Sequence, residues 1–102
     1  FGALTGSGTI YSGGYEKKAN GRLTCWIRFQ ITPVANTYTS RAWTFPVPFL
    51  DTPVVMVTHE STVTAIQTSQ ADSPTTTSVN VGLIRSNTTS TNLNAVAEGF
   101  WK

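Results

Sequence analysis

The chain has 102 residues, which is enough for one domain with a single two-layer core but too few for two. Charged residues make up only 12% of it, and seven basic against five acidic side chains give a net charge of +2. Because the basic residues are scattered along the sequence instead of clustered, the composition argues against a nucleic-acid-binding protein.

The first predicted elements are a linker and two strands. Residues 1–8 are rich in glycine and are interpreted as a linker, so that the folded domain covers residues 9–102. A strand is predicted near residues 10–15. The next strand, residues 22–31, alternates with period two. The side chains that this alternation turns to the core are Leu23, Cys25, Ile27, Phe29 and Ile31.

Five further segments are predicted to be strands, because they are rich in β-branched and aromatic residues or alternate between apolar and polar side chains. The segment 53–60 begins apolar on both faces, and we therefore expect a central strand that is covered on both sides. Six or seven short antiparallel strands with turn signals between them predict an all-β sandwich. The five segments are residues 36–45, 53–60, 62–68, 78–85 and 93–102, with loops at 70–77 and 86–92.

A proline-rich corner separates two of these strands. Pro46 and Pro48 cannot donate ladder hydrogen bonds, so the preceding strand must end near Phe45. Pro53 marks the start of the next strand, where a missing N–H is tolerated. We expect Phe45 and Phe49 to pack under the corner as anchors, and we expect the corner to join either the two sheets or two edges of the core.

The sequence contains neither a metal-binding set nor a catalytic constellation. Cys25 and His59 are the only cysteine and histidine, which excludes an intrachain disulfide and leaves no set of zinc ligands. We therefore expect no metal and no cofactor. His59 and Glu60 are adjacent on a predicted strand and point to opposite faces, so we predict no catalytic residue and no enzyme activity. No apolar run is long enough for a membrane-spanning helix, and we expect no membrane insertion.

Three stretches, in this order along the chain, resemble a known family. They are YEKKANGRLTCWIRF, WTFPVPFLDTPVVMVT and the terminal AVAEGFWK, which together span residues 15–102. Their order resembles the C-terminal receptor-binding domain of bacteriophage tail fibres, in the gp53-like group. The central pattern FPxPFxxxPxVxV is also similar to the H-type lectins, whose small β-sandwiches form trimers and bind sugars between subunits.

The resemblance implies the receptor-binding tip at the distal end of a tail fibre on a virion. Such a tip would be a homotrimer that attaches the particle to a bacterial surface polysaccharide or outer-membrane protein. Residues 1–8 would then be a linker or the end of the preceding fibre shaft, and the start at Phe1 rather than at methionine favours a terminal fragment of a longer protein. Two alternatives stay open, namely a structural cap that trimerises the fibre without touching a receptor, and a free H-type lectin.

Six side chains are candidates for ligand binding, because aromatic rings complement the flat apolar faces of sugars and planar polar groups complement their hydroxyls. Trp26 shares the polar face of its strand with Arg22 and Arg28, where it is either a carbohydrate platform or a cation–π contact in a subunit interface. Trp43 and Trp101 can equally be packing residues. The six candidates are Arg22, Trp26, Arg28, Tyr38, Trp43 and Trp101.

Loops provide a second group of candidates, since binding residues concentrate on loops that a rigid scaffold holds in place. The segments concerned are residues 36–38, 70–77 and 86–92. All three are also interpretable as plain solvated turns.

Overall fold

The protein is an antiparallel β-sandwich. A computed structural model describes residues 3–4, 9–60, 67–86 and 88–102, and within these residues it contains eight strands and no helix. The all-β sandwich predicted from the sequence is therefore confirmed. The strands are β1 (Ala3–Leu4), β2 (Thr9–Lys17), β3 (Arg22–Ile31), β4 (Thr39–Thr44), β5 (Val54–Glu60), β6 (Gln67–Asp72), β7 (Ser78–Arg85) and β8 (Thr91–Phe100).

The strands form two sheets of four. One sheet has the order β2-β3-β8-β5, and we call it the front sheet. The other has the order β1-β4-β7-β6, and we call it the back sheet. All neighbouring strands are antiparallel. β3 and β8 pair over their whole lengths, from Arg22 opposite Phe100 to Ile31 opposite Thr91, and they form the centre of the front sheet.

The core lies between the two sheets and follows the alternation of the strands. The five side chains of β3 that were predicted to face inward are all buried. β8 adds Leu93, Ala95 and Ala97 from the same sheet, and the back sheet contributes Trp43 and three β7 side chains. The period-two pattern of residues 22–31 therefore assigned the buried face of this strand correctly. The three β7 side chains are Val79, Val81 and Leu83.

The proline-rich corner crosses from the back sheet to the front sheet, which is the first of the two predicted arrangements. β4 belongs to the back sheet and β5 to the front sheet, and Phe45 and Phe49 between them are buried. The rings of Phe45 and Phe49 meet edge to face at 5.1 Å between centroids, and Phe45 meets Trp43 in the same way at 5.0 Å. The Phe49 N–H donates to the Thr76 carbonyl at 2.8 Å. These contacts fix the corner without any ligand.

The prediction that the segment 53–60 is a central strand is wrong. Among the described strands, β5 lies at the edge of the front sheet and pairs with β8 alone. Val54 and Met56 are 68% and 49% exposed on its outward side, while Val55 and Val57 pack against the core. An apolar pattern on both faces shows that both faces favour burial. It does not show that residues of the same chain cover both faces.

Several boundaries differ from the prediction. Ala3–Leu4 pairs with β4 and Leu4 packs against the core, so this part of the predicted linker belongs to the sandwich. The strand expected over 36–45 begins only at Thr39, since Asn36 has a φ of 57° and forms a turn. The predicted loop at 70–77 starts later, after Asp72 in β6. Most of the strand predicted at 62–68 lies outside the described residues.

Candidate functional site

The two outward faces of the sandwich differ in polarity. On the back sheet, Ile84 is the one large apolar side chain among the described outward residues of β4, β6 and β7. Among the described residues, the outward face of the front sheet, which we call the front face, carries an apolar group made of Trp26, Val54, Met56, Val96 and Phe100. Contiguous exposed apolar patches are uncommon on monomeric proteins and mark contact surfaces.

The middle of the front face is an apolar row across all four strands. Trp26 of β3 is opposite Val96 of β8, and Val96 is opposite Met56 of β5. On the other side of Trp26, Gly14 of β2 leaves room for the indole, because a Cβ built on Gly14 would lie 3.0 Å from the Trp26 Cζ2 atom. Trp26 is nevertheless 39% exposed. The row therefore presents an aromatic and two aliphatic side chains to whatever lies above the sheet.

A polar network borders this row on one side. The Arg28 Nε and the Asn94 Nδ2 each donate a hydrogen bond of 3.0 Å to the same Glu60 carboxylate oxygen. Both bonds lower the pKa of the Glu60 carboxyl below its usual range, and the bond from Asn94 has the larger effect. The Arg28 guanidinium also lies 5.6 Å from the centre of the Tyr11 ring. Arg28 is thus neutralised within the chain.

Basic and aromatic side chains gather around Trp101 at the hairpin end of the front sheet. They lie on its core side, because Lys17 is opposite the buried Leu23 and Trp101 packs against the core. The Trp101 indole N–H donates to the Lys18 carbonyl at 3.0 Å, and the Trp101 backbone N–H donates to the Gly21 carbonyl at 2.9 Å. These two bonds hold the indole against the β2–β3 hairpin. Lys17 Nζ and Lys102 Nζ lie 4.8 and 5.0 Å from the centre of the Trp101 ring, both within cation–π range.

A groove lies at the same end of the front sheet, but on the outward face. The Arg22 guanidinium carbon lies 5.4 Å from the centre of the Phe100 ring, and Phe100 is 48% exposed. Arg22 and Phe100 are directly opposite each other in the sheet. Together with residues of β5 and β8 they line a groove of about 420 Å³. The groove residues are Arg22, Thr52, Val54, Met56, Glu98, Gly99 and Phe100.

The fold brings together three of the six side chains predicted to bind a ligand, since Arg22, Trp26 and Arg28 share the front face. Trp101 lies at the same end of the sheet as Arg22 but packs against the core.

The other two predicted side chains lie elsewhere. Trp43 is fully buried in the core, so it is a packing residue and has no surface to offer a ligand. Tyr38 lies beside Ser40 and Gln70 of the back sheet, where burial raises the pKa of its hydroxyl. Neither residue contributes to the front face.

The sequence pattern alone does not show this arrangement. The basic residues are scattered along the chain, but the fold places Lys17, Lys18, Arg22 and Lys102 at one end of the sandwich. The signals were present in the Lys17-Lys18 pair and in the aromatic and basic residues at 100–102. Only the pairing of β3 with β8 shows that these segments meet.

The cysteine and the histidine lie on different strands of the front sheet. Cys25 is fully buried, and burial raises the pKa of its thiol to about 11. The His59 Nδ1 atom lies 3.0 Å from the Ser69 hydroxyl and shares a hydrogen bond with it, on the side of β5 opposite to Glu60. No three of the described His, Cys, Asp and Glu side chains lie close enough together to hold a metal ion. Within the same residues there is also no helix that could cross a membrane.

These elements define an eight-stranded antiparallel sandwich with one apolar outward face. No protein-family model and no curated protein sequence matches the chain. Among solved structures, the chain is similar to an N-truncated tail fibre of an R1-type pyocin, with a TM-score of 0.70 and 16% identity. The similarity covers 96% of this chain and 86% of that one.

Two longer fibre fragments from P. aeruginosa are also similar. The C-terminal part of the R1 pyocin fibre has a TM-score of 0.70 at 16% identity, and the match covers 96% of this chain and 28% of that fragment. The corresponding part of the R2 pyocin fibre has a TM-score of 0.62 at 18% identity, with coverages of 92% and 25%. The chain therefore spans about a quarter of these fragments. At such identities the likeness establishes a shared fold.

Proposed function

We propose that the chain is the receptor-binding tip of a trimeric tail fibre, on a phage or a phage-tail-like particle, and that it attaches the particle to a bacterial surface without catalysis. The observation that carries this proposal is the match of nearly the whole chain to pyocin tail fibres at a TM-score of 0.70. The order of the YEKKANGRLTCWIRF, WTFPVPFLDTPVVMVT and AVAEGFWK stretches supports it independently. The relation to the gp53-like group and to the H-type lectins stays a prediction.

The front face supports the trimer. Its central row of Trp26, Val96 and Met56 is apolar, and removing apolar surface from water drives association. One basic and one acidic side chain, Arg22 and Glu98, lie in the groove beside the row. A second copy of the chain can therefore pack there without bringing only like charges together. We infer that neighbouring copies cover this row and that the open end of the groove lies at the margin of their contact.

Trimerisation also explains how a small domain can hold a particle on a cell. A single shallow site on an 11.0 kDa chain binds weakly. Three identical sites on one fibre, and several fibres on one particle, raise the overall avidity without any new contact. The proposal therefore requires weak binding by each copy and strong attachment by the assembly.

The proposal is tested by staining bacteria with the fluorescently labelled chain. The panel consists of Gram-negative strains and mutants of each strain with truncated lipopolysaccharide, and excess unlabelled chain serves as the competitor. We expect strain-selective staining that the competitor removes. Loss of staining with the truncation assigns the receptor to a glycan, while its persistence assigns an outer-membrane protein. A folded trimer that stains no strain contradicts receptor binding and favours a structural cap.

A further inference from the structure

We propose that β5 of one copy pairs with β2 of the next copy, so that three front sheets close into one ring of antiparallel strands around the threefold axis. The ring contains twelve strands, four from each copy. This inference rests on the proposed trimer and deepens it, because it names the segment that lies against each edge. The juxtaposition that carries it is an apolar row across the front sheet, with an edge strand at each end.

The free edge of β5 lacks the features that prevent strand pairing. Natural proteins protect an exposed edge with charged residues, proline, a bulge or a covering segment. Residues 54–58 include no charged residue and no proline, and β5 pairs with β8 without a bulge from Val54 to Glu60. Val54 and Met56 are also exposed beside this edge. A straight apolar edge of this kind favours the addition of another strand.

The opposite edge of the same sheet, β2, is the matching partner. Tyr11 and Tyr15 of β2 are about as exposed as Met56 of β5. Among the described residues, the edge strands of the back sheet carry no exposed large apolar side chain, since β1 has two residues and β6 has the polar sequence QTSQAD. Exposed apolar side chains on edge strands are therefore confined to the two edges of the front sheet.

The strand directions fit a threefold ring. Three antiparallel pairings separate β2 from β5, so these two strands run in opposite directions. Rotation about an axis parallel to the strands preserves direction, and β5 therefore meets the next β2 in antiparallel orientation. Such head-to-tail contacts generate a closed ring. Pairing of β5 with a second β5 about a twofold axis would produce a dimer and leave β2 uncovered.

The register of the sheet joins the apolar rows of neighbouring copies. Met56, Val96, Trp26 and Gly14 lie at one level across the four strands. Because rotation also preserves level, Met56 of one copy approaches Gly14 of the next. The Trp26 indole lies against that glycine, so it reaches the incoming Met56, and contacts between sulfur and an aromatic ring are favourable. The three rows thus form a continuous apolar surface that faces the axis.

A bulge in β2 limits the length of the new ladder. The register of β2 against β3 shifts between Ile10 and Ser12. A bulge disrupts pairing locally and bends the strand. We therefore expect the added ladder to involve residues 12–17 of β2 and residues 54–58 of β5.

The charges near the hairpin end are compatible with this contact. Glu16 lies at the level of Val54, and it forms an ion pair with Lys18 at 3.7 Å. The groove beside Val54 contains Arg22 and Glu98, which form no ion pair among the described residues. A neighbouring β2 therefore brings one acidic and one basic side chain to a groove that contains one of each.

The test is disulfide trapping between the two edges. Directly opposite residues of antiparallel strands are about 4.5–5.5 Å apart at Cα, within disulfide range. Glu16→Cys is combined in turn with Val54→Cys, Thr52→Cys and Met56→Cys, so that a shift of two residues in either direction is covered. Under mild oxidation we expect at least one pair to give a covalent trimer of about 33 kDa, three times 11.0 kDa, that a reductant converts to single chains. The native Cys25 is buried and should not interfere.

Controls separate the proposed edge contact from other arrangements. Glu16→Cys with Gln70→Cys, which lies on the edge strand β6 of the back sheet, should not form a covalent trimer. The single variants Val54→Cys and Met56→Cys should stay uncrosslinked. A covalent dimer from either would replace the ring by pairing of β5 with β5. A trimer by light scattering in which none of the three test pairs crosslinks would overturn the proposal.

Amide exchange of the wild type provides a measurement without any substitution at the edge. The β5 amides that point away from β8 should exchange about tenfold more slowly at concentrations where the trimer forms than after dilution to single chains. Equal exchange in both states would show that the copies touch through side chains alone. It would therefore contradict the ring.

The outcomes also distinguish the ring from the attachment function. A crosslinked ring that stains no bacterial strain supports this inference and contradicts receptor binding. A trimer that stains cells but neither crosslinks nor protects its β5 amides keeps the attachment function and overturns the ring. A monomeric wild type contradicts the ring whatever the staining shows.

Discussion

The indole of Trp26 packs against the backbone of Gly14 on the neighbouring strand, and the two residues are directly opposite each other in the sheet. A Cβ on residue 14 would lie 3.0 Å from Cζ2 and 3.4 Å from Cε2 of the indole. A glycine in a strand interior weakens the strand, and it is found where another group approaches closely. Gly14 allows the Trp26 indole to pack flat against the backbone of β2, beside the apolar row.

Gly14→Val should lift the Trp26 ring from β2. The branched side chain occupies the space of the ring, while valine itself favours a strand, so the free energy of unfolding should change by less than about 1 kcal/mol. The indole N–H resonance of Trp26 should move more than those of Trp43 and Trp101. An unchanged Trp26 resonance would show that the ring does not depend on this glycine.

Met56→Arg should dissociate the proposed trimer, because it places an unpaired charge in the apolar row of the front face. Light scattering should give a mass of about 33 kDa for the wild type, three times the 11.0 kDa of one chain, and a mass of about 11 kDa for the variant. Met56 is 49% exposed in the single chain, so the variant should still fold.

Ile84→Arg is the matched control for this experiment. It makes the same kind of change at a residue that is 42% exposed, but on the outward face of the back sheet. We expect it to stay trimeric. A trimer in both variants would move the subunit contact away from the front face, and a monomeric wild type would remove the trimer altogether.

The period-two pattern predicted β3 and its buried face correctly because every second residue of that strand is apolar. The corner was equally predictable. Its two prolines cannot donate the hydrogen bonds of strand pairing, and its two phenylalanines favour burial. Both features depend on local sequence. The position of β5 at the edge of its sheet depends on strand order, which the composition of Val54 and its neighbours does not encode.

The candidate site was predictable only in part for the same reason. Arg22, Trp26 and Arg28 are two or four residues apart on one strand, so their shared face follows from the alternation. Lys17 and Lys102 are far apart in the sequence. They approach the same Trp101 ring only because β3 pairs with both β2 and β8. Trp43 and Phe45 lie on the same face of their segment and their rings are in contact. This apolar neighbour favours a buried position for Trp43 over a ligand-binding one.

Phe49→Ala should strongly destabilise the sandwich. The Phe49 ring is buried, meets Phe45 edge to face and lies so close to Gly99 that a Cβ there would be 2.9 Å from its Cδ1 atom. Truncating such an aromatic costs about 3–5 kcal/mol of unfolding free energy. Leu50→Ala is the control next to it, because Leu50 is exposed and should change stability by less than about 0.5 kcal/mol. Urea unfolding measures both, and similar midpoints for the two variants would contradict the anchoring role.

Glu60→Gln should reduce the loss of stability in acid. The pKa of the Glu60 carboxyl is lowered in the fold by Asn94 and Arg28, so its stabilising contribution is present above the unfolded pKa of about 4.3 and is lost as the pH falls through the lower folded value. The wild type should therefore lose slightly more stability than the variant between pH 6 and pH 3. Thermal midpoints measure this difference, and equal losses in the two proteins would show that the hydrogen bonds from Asn94 and Arg28 do not stabilise the fold.

Cys25 should be inert to thiol reagents in the folded protein and reactive once the sandwich opens. Its side chain is fully buried on the inward face of β3, and burial raises the pKa of the thiol to about 11, so that the reactive thiolate is scarce at neutral pH. The labelling rate at pH 8 should therefore follow the fraction of unfolded chain across a urea titration. Phe49→Ala should label faster than the wild type, and Leu50→Ala should not.

The same thiol should make stability depend on pH under alkaline conditions. Because the folded pKa is higher than the unfolded value of about 8.5, the thiol's contribution is fully present below pH 8.5 and is lost as the pH rises toward the folded value. Cys25→Ala removes this dependence, although it leaves a small cavity in the core. The difference in unfolding free energy between wild type and variant should shrink from pH 7 to pH 10. A difference that stays constant over this range would show that the thiol ionises equally easily in both states.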